Sequence, residues 1–158
     1  MNSPRARAWL QMLAVCVVVV AVDQIVKGIV RDSLAPGERI DLALGFHISR
    51  VTNSGIAFGL LDEGSDAAVL AITLGGLALV GGWFTFDATR PGLWLGVGLL
   101  LGGALGNLTD RIRGDGVTDF IDPPLWPAFN LADVSITAGV IVIAMIALVQ
   151  PKAEPAEP

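Results

Sequence analysis

Four stretches of this chain carry no charged residue: 9–22, 67–86, 91–109 and 134–151. The first runs on to Val30 with only Asp23 and Lys27 interrupting it. A bilayer core of ~30 Å is crossed by about 20 helical residues, so these runs read as spans. The expectation is an all-α integral membrane protein with four transmembrane helices, roughly 9–30, 67–86, 92–109 and 132–150. They form a single domain over residues 1–150. The Pro- and Glu-rich segment 151–158 is expected to be a disordered tail.

Composition supports this and narrows the function. The chain is 53% hydrophobic with a net charge of −5, and its mean hydropathy is +0.68. An acidic balance without a basic stripe argues against nucleic acid. One cysteine leaves no internal disulfide. Cys16 sits mid-span and reads as helix filler, and no small-x-small site ends the first span as in a cleaved signal peptide.

Four spans place both termini on one side. The density of Lys and Arg, with Arg5, Arg7, Arg90 and Lys152 on short terminal-side segments, makes that side cytoplasmic. Trp9, Trp83 and Trp94 then mark one interface and Trp126 the other. This topology gathers Asp23, Lys27, Asn53, Asn107, Asp110, Arg111, Asp119, Asn130 and Asp133 at the outer leaflet. The segment 31–66 is too long for a turn: Ile40 to Thr52 alternates loosely before Asn53-Ser54-Gly55, predicting a small extracytoplasmic β element between helices 1 and 2. Segment 110–130, rich in Gly and Pro, is expected to be a structured loop. Gly98, Gly102 and Gly106 give helix 3 the small-xxx-small spacing that permits close helix approach.

Ionisable residues at membrane depth are functional suspects. A single histidine, His47, offers little to a zinc site or a Ser-His-Asp triad, and no phosphate-cradling loop is present. Aspartate beside asparagine remains. Two carboxylates held close share a proton; the ionised one draws a proton from water while the protonated one polarises a carbonyl. Asp119 and Asp133 are the favoured pair, which requires loop 120–132 to fold back; Asp110 is an alternative partner for Asp133. Each motif also has a structural reading. Asn130-x-x-Asp133 is an ordinary helix start, Asp23 and Lys27 form an i, i+4 pair, and Asn107, Asp110 and Arg111 suit a salt-bridged helix end.

The motifs Asp23-Gln24-x-x-Lys27, Val51-Thr52-Asn53-Ser54-Gly55-Ile56-Ala57-Phe58-Gly59, Gly102 to Arg111, Val117-Thr118-Asp119-Phe120-Ile121-Asp122 and Phe129-Asn130-Leu131-Ala132-Asp133 occur in order over almost the whole chain. Together they resemble the lipoprotein signal peptidase (signal peptidase II) family. The resemblance implies a metal- and cofactor-free aspartyl endopeptidase of the bacterial cytoplasmic membrane, with its active site near the outer leaflet. It would cleave prolipoproteins just before a diacylglyceryl-modified cysteine, contact membrane lipid and be inhibited by globomycin. It maps the catalytic pair onto Asp119 and Asp133. Asn53, Gly55, Asn107, Asp110, Arg111 and Asn130 map onto residues lining or bracing the site, and Asp23 and Lys27 onto its support. Two departures are Ile56, where the family usually has a small residue, and a shorter 120–132 loop. The competing classes are a small transporter using Asp23 and Lys27 as a relay, which predicts mid-membrane acids and an inverted repeat, and a lipid-binding scaffold indifferent to Asp119 and Asp133.

Overall fold

The computed structural model describes residues 3–53, 65–114 and 116–149. Gly55 and the tail 151–158 lie outside the described residues. Helix α1 spans Pro4–Ser33, α2 Ser65–Asp87, α3 Leu93–Arg113 and α4 Leu131–Leu148, with strands β1 (Arg39–Asp41), β2 (His47–Asn53) and β3 (Val117–Asp122). Three helices, α1, α3 and α4, are long and apolar enough to cross a membrane, while the apolar stretch Ala71–Asp87 of α2 is shorter. Exposed Leu10, Val17, Ile25, Ile29, Leu79 and Val140 line the outer surfaces of the bundle, as a hydrocarbon solvent requires.

Each helix end has a local cause. Ser3 caps α1 by accepting from the Ala6 N–H, and Pro4 supplies the preset φ of a first turn. Helix α3 runs past the expected end at residue 109 to Arg113. Its charged last turn stays helical because Asp110 finds cationic partners inside the protein. The stop is Gly114, in the left-handed conformation at φ 89°.

Helix α3 is the centre of the bundle, and glycines bring its neighbours close. A Cβ on Gly98 would lie 2.8 Å from the Met12 carbonyl oxygen, and one on Gly102 2.8 Å from Val19, both on α1. Gly96 and Gly103 do the same toward α4, where Gly139 answers them. At one end of the bundle Met12, Phe84, Leu93 and Val97 form an apolar core, with Trp9 edge-on to Phe84 at 5.0 Å. At the other, Val30 and Leu34 of α1 pack with Phe120, flanked by Ile48, Ile121 and Leu131.

The sheet departs from expectation. It is antiparallel in the order β1-β2-β3, so the β element does not lie wholly between the first two helices. Its third strand comes from the 110–130 segment, where surrounding Gly and Pro hide a short strand that is completed only by pairing with distant β2. Ile48 pairs with Ile121 and Val51 with Asp119, so Ser49 and Arg50 oppose Phe120 alone. Such a bulge kinks a strand and re-aims its neighbours. Arg50 uses it to donate to the carbonyls of Arg31 and Leu34, both at 2.9 Å, and so ties the sheet to the end of α1.

Candidate active site

The polar residues divide into two adjoining groups. The deeper is built on Lys27, fully buried in α1. Its ammonium lies 2.9 Å from Asp23 and 2.8 Å from Asp110, and it donates to Oδ1 of Asn107 at 2.9 Å. Those three contacts use all three donors of the ammonium. Arg31, one turn further along α1, adds a second cation 3.4 Å from Asp110 and donates to the Thr118 hydroxyl at 3.1 Å. Gln24 ties the same cluster by donating to Asp23, Asp110 and the Gly106 carbonyl. Two buried carboxylates thus face two cations, the condition under which buried charge is tolerated. Asp110 is held here by Lys27 and Arg31, with no hydrogen bond to Asp133 among the described residues.

Asp23 also reaches out of the cluster: its Oδ1 accepts from the Ala132 N–H at 3.0 Å. It thereby satisfies an orphan donor in the first turn of α4 from a different helix. Asn130 is the N-cap of α4, accepting from the Asp133 N–H at 3.0 Å, while Asp133 Oδ2 accepts from the Asn130 N–H at 3.2 Å. That is a complete capping box.

The second group contains Asp119 and Asp133, joined by amides. Lys27 can only donate, so it fixes Asn107 with its oxygen inward. The Asn107 NH₂ then points the other way and donates to Asp133 Oδ1 at 2.8 Å. Asn130 Nδ2 donates to both Asn107 Oδ1, at 3.1 Å, and Asp119 Oδ1, at 2.6 Å. Asn53, the last residue of β2, donates to Asp119 Oδ2 at 3.1 Å. The chain Asp119–Asn130–Asn107–Asp133 links two carboxylates, neither of them in an ion pair among the described residues. Asp119 is 3% exposed, whereas Asp133 is half-buried. Burial raises the Asp119 carboxyl to about 6, with the nearby Asp133 charge adding to the rise and the hydrogen bonds from Asn53 and Asn130 opposing it.

The return of loop 122–129 follows from a backbone clasp. Ile121 N–H donates to the Phe129 carbonyl at 2.9 Å, Phe129 N–H returns the bond to Ile121 at 2.9 Å, and Phe120 N–H shares the Phe129 oxygen at 3.0 Å. This isolated bridge sets Asn130 beside β3. The expected residues Asp23, Lys27, Asn53, Asn107, Asp110, Asp119, Asn130 and Asp133 are thus all brought together. Arg111 is not joined to them: it is half-buried and makes no side-chain hydrogen bond or ion pair among the described residues. Gln24, Arg31, Thr118 and Arg50 were missed. The i, i+4, i+8 spacing of Asp23, Lys27 and Arg31 on one helix face was a legible signal for Arg31. No cluster of three His, Cys, Asp or Glu side chains suited to a metal occurs among the described residues.

A family model described as signal peptidase (SPase) II matches residues 15–149. A lipoprotein signal peptidase from Moorella thermoacetica is 39% identical over 132 residues, covering 83% of this chain and 88% of its own. One from Pelotomaculum thermopropionicum is 38% identical over 137 residues, covering 84% and 88%. A solved bacterial membrane enzyme superposes with a TM-score of 0.79 at 33% identity, over 89% of this chain and 94% of that one.

Proposed function

The chain belongs to the signal peptidase II family and is a multi-pass membrane protease of the lipoprotein signal peptidase type; on that premise we propose that Asp119 and Asp133 are its catalytic pair. The observation that carries this is the amide bridge through Asn130 and Asn107. It holds two carboxylates from β3 and α4 together, and among the described residues neither has a salt bridge. Asp133, at the positive end of α4, acts as the base that draws a proton from water. Asp119, whose carboxyl is raised toward neutrality, polarises the scissile carbonyl and serves the leaving amine. Asn107, Asn130 and Asn53 orient the pair; Asp23, Lys27 and Asp110 hold the ends of α1, α3 and α4 together beneath it. By the family pattern Gly55 and Arg111 also count among the residues that line or brace the site.

The substrate is a prolipoprotein carrying a diacylglyceryl cysteine, whose signal peptide is removed just before that cysteine, and globomycin is the matching inhibitor. Residues 1–150 form one domain of four spans, with α2 as the second, both termini cytoplasmic and the site near the outer leaflet of the bacterial inner membrane. The test is cleavage of a diacylglyceryl-modified prolipoprotein by the wild type and by folded Asp119→Asn, Asp133→Asn and Asp110→Asn. Turnover lost in the first two and retained in part by the third supports the pair. Turnover retained by Asp119→Asn and lost in Asp110→Asn reassigns it.

A further inference from the structure

Beyond the proposed catalytic site, the same end of the molecule carries an apolar rim that no described residue covers. Between β1 and β2 a single 3₁₀ turn, Ala43–Gly45, holds Leu44 at φ 61° and ψ 23°. The left-handed region is disfavoured for a bulky side chain, and Leu44 is the one described non-glycine residue that adopts it. Strain of this kind persists where something compensates it, yet Leu44 is 90% exposed and buries almost nothing within the chain. A second prong stands beside it. In the loop closed by the Ile121–Phe129 clasp, Leu125 is 95% and Trp126 71% exposed. The two prongs meet at their bases: a Cβ on Gly45 would lie 3.5 Å from the Pro124 ring. Leu42 and Phe46 flank the turn and are exposed as well.

We infer that Leu44, Leu125 and Trp126 form a two-pronged anchor that inserts into the interfacial layer of the phospholipid bilayer. Three observations select lipid as the occupant. The apolar surface of the spans runs toward this end, through exposed Ile29 in the last turns of α1 and Ile112 in the last turn of α3, so the rim continues a surface already in contact with lipid. Tryptophan at such a tip suits the headgroup level. The sheet is also two-faced in register. Asp41, His47 and Asp122 align across its strands, as do Ile40, Ile48 and Ile121, which leaves a charged row for water. His47 stands 3.4 Å from Asp41 in that row.

The anchor has a positional consequence. Leu125 lies between Asp119 and Asp133 in sequence, on the loop whose clasp sets Asn130 against Asp119. Insertion fixes the depth of that loop, and with it the height of the site above the hydrocarbon.

Spin labels placed singly at Leu44→Cys, Leu125→Cys and Asp41→Cys, in a Cys16→Ala background of the full chain reconstituted in phospholipid vesicles, test this. Accessibility to oxygen and to a water-soluble nickel complex is read at each. The expected result is an oxygen-to-nickel ratio several-fold higher at Leu44→Cys and Leu125→Cys than at Asp41→Cys, with Leu44→Asn in the Leu125→Cys background lowering the ratio. Equal, water-like ratios at all three positions overturn the anchor. So does a rise that appears only on adding a lipidated peptide, which makes the substrate the occupant, or label-to-label dipolar broadening, which makes it a second copy. None of these readouts depends on catalysis, so failure of the proposed activity leaves them interpretable.

Discussion

Two pairs of aspartates lie in adjoining groups, linked through Asn107, and have opposite surroundings. Asp23 and Asp110 face Lys27 and Arg31 at ion-pair distance. Among the described residues Asp119 and Asp133 accept from amide N–H groups of Asn53, Asn107, Asn130 and the backbone and make no ion pair, while the more distant Lys27 charge lowers the Asp119 carboxyl somewhat. A carboxylate paired with a buried ammonium has its charge compensated in place and ties the helix ends together. A carboxylate held by neutral donors keeps its position while remaining free to exchange a proton. The lesson is that acids of the same residue type, brought to the same end of one bundle, take their roles from the charge of their partners.

The sharpest break comes from removing the proton-exchanging groups. Asp119→Asn and Asp133→Asn are isosteric and leave the bundle folded, and each lowers turnover of a lipidated prolipoprotein by about 10⁴-fold, the upper range for general acid–base groups; a single-turnover cleavage assay measures it. The converse change is Lys27→Met, which strands the buried Asp23 and leaves Asp110 to Arg31 alone. It destabilises the protein by about 3–5 kcal/mol, read as a fall in thermal midpoint in detergent. Replacing Asp23 and Asp110 by Asn in the same chain recovers much of that loss.

The pairs also separate by pH. The Asp119 carboxyl lies at about 6 in the fold against an ordinary value of 3.8, so between those values the folded state binds more protons than the unfolded one. Stability therefore declines as pH rises through that window, by about 3 kcal/mol for this group. Asp119→Asn removes the decline, and the difference between wild-type and variant unfolding curves from pH 4 to 7 isolates it. A smaller effect tests the scaffold that aims Asp119. Arg50→Gln loosens the bulge from the end of α1 and costs about 1–2 kcal/mol, with the thermal midpoint falling and Asn53 losing register against Asp119.

Much of this was legible from the chain because membrane-spanning segments advertise themselves by what they lack. The acids stood out against charge-free runs, and their order along the chain carried the family pattern. Strand β3 was not legible. Val117 to Asp122 is short, flanked by Gly116 and Pro123, and acquires its structure from β2, which no local window contains. The end of α3 was misplaced for a related reason: Asp110 and Arg111 look like a solvated terminus until the Lys27 ammonium is placed against Asp110. The two readings of Asn130-x-x-Asp133 were never rivals. The motif is a complete helix cap and, on the proposed function, half of the site as well, the same hydrogen bonds serving each.

That double duty has a kinetic consequence. If Asp133 is the reacting base, its Oδ2, which accepts from the Asn130 N–H, closes the first turn of α4 with an atom of the reacting group. A carboxylate that takes up a proton is a poorer acceptor, so each visit of a proton to Asp133 would weaken that half of the capping box, a hydrogen bond worth about 1 kcal/mol. On that proposal the start of α4 would loosen and re-form in step with turnover. Its amides would open to solvent exchange more often in the working enzyme than at rest, giving the reaction cycle a local clock written in the breathing of a single helical turn.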